Sequence, residues 1–282
     1  MLRTIFIFSL CLNVVSASIS PCAKWNNTGR TVAGTGEGGS SDYQINSAKG
    51  FFIQKERRAL YVADFYNNRV QMFPLGSTSP MGTTIVSNVV NPMKVFIDED
   101  ETGPTVYVSL RFLNRTEKWV SGAQQGIQVG DGCVLCSGVA VDSDKNVYMS
   151  ESGRHRVVRW NPETNETVVV AGQTDTRGST GDLLDHPQGI YLDQNSKTIY
   201  VADMWNSRIQ RWNQNAIKGT TAAGSPNGIA GNDSLTLNYP NDVIVDDETN
   251  VVYVIDSSNN RVQRWTPNAT QADTIAGGAG TI

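Results

Sequence analysis

Histidine is nearly missing from this chain: 282 residues hold two, His155 and His186. A zinc site made of three histidines is therefore excluded within these residues. No Gly-X-Ser-X-Gly elbow occurs, and no Ser/His/Asp order suited to nucleophilic hydrolysis. An excess of basic charge is also lacking. The 23 Lys and Arg stand against 27 Asp and Glu, a net charge of -4, so there is no cationic field for nucleic-acid phosphates. After the N-terminus no run is apolar enough to cross a membrane. Cysteine is scarce at four residues: Cys11, Cys22, Cys133 and Cys136.

What is present begins with a targeting pattern. Met1-Leu2-Arg3 gives a positive start, Ile5 to Val15 is apolar apart from Ser9 and Asn13, and Val15-Ser16-Ala17 offers small residues for cleavage. Residues 1–17 are expected to be a signal peptide, which makes the product secreted and extracellular with no membrane span after cleavage. Asn26, Asn114, Asn165, Asn232 and Asn268 each open an Asn-X-Ser/Thr triplet without proline, so they are expected glycosylation sites. In an oxidising compartment Cys133 and Cys136 are expected to form a local disulfide; half a zinc site and a redox pair are the alternatives. The partner of Cys22 stays open.

One phrase recurs five times. Leu60-Tyr61-Val62-Ala63-Asp64-Phe65-Tyr66-Asn67-Asn68-Arg69-Val70 is matched by Ile199-Tyr200-Val201-Ala202-Asp203-Met204-Trp205-Asn206-Ser207-Arg208-Ile209 and again over 252–262, with weaker copies starting at Val106 and Val147. A period of about 40–50 residues with strand patterning marks a blade array. Each unit reads as four antiparallel strands joined by turns. The expected blades lie near 48–86, 92–129, 137–171, 187–223 and 240–276, with an N-terminal closing strand over 24–34.

Antiparallel alternation puts the turn between strands two and three on the same face as the loops that lead into each next blade. Those loops carry Glu37, Asp42, Asp131, Asp175, Asp182, Asp185 and Asp233 against one base, Arg177. An acidic, loop-bearing face is expected, and loops on a rigid scaffold commonly carry function.

The repeated polar positions are Asp64, Glu151, Asp203 and Asp256, followed by Arg69, Arg115, Arg156, Arg208 and Arg261. Leu110 replaces the acid in the second unit. A site used once does not need five copies, so these residues are expected to hold blades together. Phe73, Trp119, Trp160, Trp212 and Trp265 recur with the same period and are expected to pack.

Pro187-Gln188-Gly189-Ile190, Tyr200-Val201-Ala202-Asp203 and Asn206-Ser207-Arg208-Ile209 resemble the units of the NHL repeat family. The resemblance covers roughly residues 24 to 282. It implies an all-β propeller, typically six-bladed, so the five complete units are expected to be part of a six-bladed ring whose last blade is truncated. A closed five-bladed ring is the alternative. The fold hosts unrelated activities. The expected function is a non-catalytic extracellular scaffold that presents loops to a protein, peptide or glycan, with no catalytic residues and no cofactor. An enzyme of the amidating-lyase or calcium-dependent, lactonase-like kind is the alternative; for calcium, Glu151, Asp203, Asn206 and Asp256 are suitable oxygen ligands. The intracellular ubiquitin-ligase relatives do not suit a chain with a leader and no zinc domains.

Overall fold

The computed structural model describes residues 31–76, 81–100 and 103–278. The expected signal peptide, Cys11, Cys22, Asn26 and most of the expected closing strand lie outside these residues. They fall into two compact units that divide between Val139 and Ala140.

Five four-stranded antiparallel sheets are present, each a meander in chain order. Blade 1 is Ala48–Gln54, Ala59–Asp64, Arg69–Pro74 and Thr83–Ser87. Blade 2 is Lys94–Asp100, Gly103–Leu110, Arg115–Trp119 and Ile127–Gln128. Blade 3 is Cys136–Val141, Val147–Glu151, Arg156–Trp160 and Thr167–Gly172. Blade 4 is Pro187–Leu192, Ile199–Asp203, Arg208–Trp212 and Thr220–Gly224. Blade 5 is Pro240–Asp246, Val251–Asp256, Arg261–Trp265 and Asp273–Gly277. The fold is an all-β propeller fold of five four-stranded blades. No strand of a sixth blade occurs among the described residues. Residues 31–34, the described part of the expected closing strand, are irregular, and Gly34 is left-handed at φ 79°.

Three of the second strands are buried throughout: Ala59–Asp64, Val147–Glu151 and Ile199–Asp203 show no exposed residue. Both of their faces meet apolar side chains, which accounts for their unbroken Tyr-Val-Ala character rather than strict alternation. In the first unit, Tyr61, Val70, Val86, Val95, Val106 and Trp119 share one core. In the second, Tyr200, Ile209, Leu237, Val243, Val254 and Trp265 share another. Where a third strand leaves its first pair, the register to the fourth slips by a bulge, at Val70/Gln71, Val157/Val158, Ile209/Gln210 and Val262/Gln263. Such bulges increase strand twist.

The glycine of the first strand has a steric reason. A Cβ on Gly189 would lie 2.0 Å from Asp242 Oδ1 and 2.9 Å from the Asn241 carbonyl. The first strands of blades 4 and 5 approach too closely there for any side chain.

Candidate functional site

The turn between strands two and three is a short 3-10 helix in every blade: Phe65–Asn67, Arg111–Leu113, Ser152–Arg154, Met204–Asn206 and Ser257–Asn259. Each ends on a left-handed residue, Asn68, Asn114, His155, Ser207 or Asn260. Asparagine tolerates that backbone.

Blades 1, 4 and 5 share one latch. Oδ1 of Asp64, Asp203 and Asp256 accepts the N–H of Asn46, Asp185 and Asn238, each at 2.7 Å. Oδ2 accepts from the Nδ2 of Asn67, Asn206 and Asn259 and from the Nε of Arg69, Arg208 and Arg261. The same asparagines donate to the carbonyls of Gly39, Gly178 and Gly231. The arginines reach the lead-in loop as well: Arg208 donates to the Ser179, Thr180 and Leu183 carbonyls, and Arg261 to those of Asn232, Asp233 and Thr236. The repeated phrase thus clamps each blade's own lead-in loop.

Blades 2 and 3 lack the complete latch. Leu110 leaves Arg115 to pair with Glu117 at 2.5 Å. Glu151 pairs with Arg156, and no asparagine stands at the third turn position. Their lead-in loops are short, 88–93 and 129–135, against 173–186 and 225–239 in blades 4 and 5. The loop into blade 3 is closed by the Cys133–Cys136 disulfide, Cα to Cα 5.4 Å. A short or cross-linked loop has little freedom to restrain. Oδ2 of Asp203 and Asp256 and Oε2 of Glu151 pair with arginine, Oδ1 of the two aspartates accepts a backbone N–H, and Asn206 spends its amide on Asp203 and Gly178. The four residues suited to calcium are therefore engaged in blade structure.

The middle residue of the turn is exposed in blades 1, 2, 4 and 5, and it is a broad aromatic in three of them. It is Tyr66, Phe112 and Trp205 in blades 1, 2 and 4, with exposures of 63, 62 and 48 %. In the first unit Phe65 packs edge-on against Tyr66 at 4.9 Å and Phe112 at 6.1 Å, under the Lys49 ammonium.

In the second unit Trp205 stacks on His186, ring centres 3.8 Å apart at 17°. His186 lies edge-on to His155 at 4.7 Å. The two histidines of the whole chain therefore meet. Oδ1 of Asp185 is 2.8 Å from His186 Nδ1 and 3.3 Å from His155 Nδ1. His155 Nδ1 accepts the backbone N–H of His186 at 3.2 Å, which fixes its neutral form as the Nε2–H tautomer. Burial holds the His155 imidazole below its ordinary range, helped by His186 and Arg177 and opposed by Asp185 and Asp175. Gln188 braces the pair, donating from Nε2 to Ser152 Oγ and the His186 carbonyl.

Sequence reading put His155 in its turn and His186 ahead of its strand but did not join them. The signal was in the repeat. Asn68 Oδ1 accepts from Asn91 N–H and Asn114 Oδ1 from Leu135 N–H, both at 2.9 Å. His155 to His186 is the same tether with an imidazole in place of an amide.

Against known proteins, the NHL repeat family matches residues 184–212 and 237–265. The two matched segments fall on blades 4 and 5. The chain carries NHL repeats. Among solved structures, this NHL chain is similar to a chain of the nidogen–laminin complex, at TM-score 0.64 and 19 % identity over 81 % of this chain and 80 % of that one. It is similar to an auxiliary nutrient-binding protein of Bacteroides ovatus, at 0.60 and 15 % over 78 % and 59 %. It is also similar to virginiamycin B lyase of Staphylococcus aureus, at 0.55 and 12 % over 86 % and 78 %. At these identities the likeness is one of fold. No helix among the described residues is long and apolar enough to cross a membrane.

Proposed function

We propose that this chain is a non-catalytic, secreted binding scaffold whose turns between second and third strands take a protein, peptide or glycan. One observation carries the reading: Tyr66, Phe112 and Trp205 occupy the same turn position and expose broad aromatic faces from a rigidly hydrogen-bonded base. Rigid aromatics give contact area at low entropic cost, and they are the usual anchors of binding surfaces. The nutrient-binding and nidogen–laminin structures are consistent with such use of the fold, while the lyase shows that the fold also hosts enzymes. The engagement of Glu151, Asp203 and Asp256 with arginine favours the scaffold over a calcium-dependent hydrolase built on those residues.

The test is an array of glycans and extracellular peptides and proteins probed with the purified chain, then with Tyr66→Ala, Phe112→Ala and Trp205→Ala. These side chains are about half exposed or more, and the loss of one ring contact apiece should keep the stability change within about 1.5 kcal/mol. A captured ligand should lose at least about tenfold in affinity in one or more variants. Indifference of every ligand to all three variants, or turnover of a bound ligand, would refute the scaffold reading.

A further inference from the structure

The geometry points to a divalent transition-metal site of the zinc class formed by His155, Asp185 and His186. One donor atom from each residue lies within 4.8 Å of the donors of the other two. Oδ1 of Asp185 sits between both Nδ1 atoms, at 2.8 and 3.3 Å. Donors sharing a zinc at about 2.0–2.2 Å stand roughly 3.3 Å apart, so small side-chain rotations complete the arrangement. All three residues are half-buried. Coordination through Nδ1 uses, on His155, the lone pair now presented to the His186 N–H and leaves Nε2 as the N–H of each ring.

The blade does not require this chemistry. Its tether needs one acceptor, which Asn68 and Asn114 supply as amides. In blade 3 an imidazole takes that slot, and the residue it tethers is the chain's other histidine, preceded by a carboxylate. Two imidazoles and a carboxylate suit zinc, copper or nickel, whereas calcium and magnesium prefer oxygen donors alone. Three protein donors leave a coordination position for water or a ligand atom, as in exchangeable rather than closed structural sites. Asp175 adds negative charge near His155, and Arg177 opposes it. Trp205, stacked on His186, orients that ring and places an indole reporter against the site. The assignment is independent of the scaffold reading, because it concerns side chains beneath the exposed aromatic face.

The full chain, freed of metal, would be titrated with zinc chloride by calorimetry and with cobalt(II) by visible absorption, with Trp fluorescence followed throughout. Saturable one-to-one zinc binding, cobalt d–d bands and quenching by cobalt are expected. His155→Asn is the decisive variant, because asparagine already serves this slot in blades 1 and 2. It should keep the metal-free melting temperature of the parent and lose at least about tenfold in zinc affinity. Asp185→Asn should weaken binding in the same direction. Trp205→Phe should keep the calorimetric affinity and lose the quenching from this site. The assignment falls if the parent shows no saturable zinc binding. It also falls if His155→Asn and Asp185→Asn bind zinc as the parent does, which would place the ion elsewhere.

Discussion

At the residue scale, a glycine and a cysteine pair are each held by their surroundings. Gly189 has no room for a methyl group beside Asp242 and the Asn241 carbonyl. Gly189→Ala should cost about 2–3 kcal/mol through overpacking. Gly36, left-handed at φ 88° with nothing within 4 Å of its missing Cβ, should lose only about 1 kcal/mol as alanine, from backbone strain. Urea melts of the two variants test this order, and equal losses would contradict the close-approach argument. Cys133 and Cys136 are both buried, and their bridge closes a very small loop. Cys133→Ser with Cys136→Ser should cost about 2 kcal/mol, since closure entropy grows only with loop length. A melt of the parent with and without reductant gives the same comparison. Neither Gly189 nor the bridge demanded the structure to be noticed: Pro-X-Gly-Ile and Cys-X-X-Cys stand out in the sequence. The reason for the glycine lay in a neighbouring strand some fifty residues away, which local pattern does not report.

At the element scale, the Asp–Asn–Arg latch joins a turn to a loop that is distant in sequence. Asp203 and Arg208 are both buried, with 0 and 2 % side-chain exposure. Asp203→Ala would strand the Arg208 charge, the Asn206 amide and the Asp185 N–H, at a cost of about 3–5 kcal/mol. Arg208→Lys keeps the charge but gives up the planar fork that reaches the Ser179, Thr180, Leu183 and Pro226 carbonyls, so it too should destabilise, by about 1–3 kcal/mol. Hydrogen exchange should show residues 178–185 opening first in both variants; protection unchanged there would mean that the latch does not restrain the loop. The five-fold recurrence marked these residues as structural. What recurrence did not supply was their target, because the lead-in loops differ in sequence and only their backbone carbonyls and N–H groups are used. For the same reason, the absence of a full latch in blades 2 and 3 becomes intelligible only beside their shorter loops.

At the scale of the whole molecule, a net charge of -4 and the exposed sequons fit the proposed extracellular setting. Asn114, Asn165, Asn232 and Asn268 are all exposed. Asn114 already uses Oδ1 as an acceptor for Leu135 N–H, which leaves its Nδ2 for a glycan. Expression in a secretory eukaryotic host should deliver the chain to the medium with added mass that peptide N-glycosidase removes. Thr167→Ala breaks the Asn165 triplet at an exposed strand position, keeps the Asn165 Oδ1 that accepts the Trp160 Nε1–H, and should remove one increment with little loss of stability. Retention inside the cell, or a secreted product of unmodified mass, would count against that setting.

The sequence alone determined the repeat and the four-strand unit, because strand period and turn chemistry are local and were written five times. Tertiary structure decided which loop each latch holds, how closely the first strands of blades 4 and 5 approach, and that His155 and His186 share one cluster with Asp185. Those facts depend on contacts between segments about twenty to fifty residues apart, which no local periodicity encodes. The histidine pair shows the boundary most clearly. Each residue occupies a repeat slot visible in the sequence, yet the chemistry arises only where the folded tether brings the two slots together.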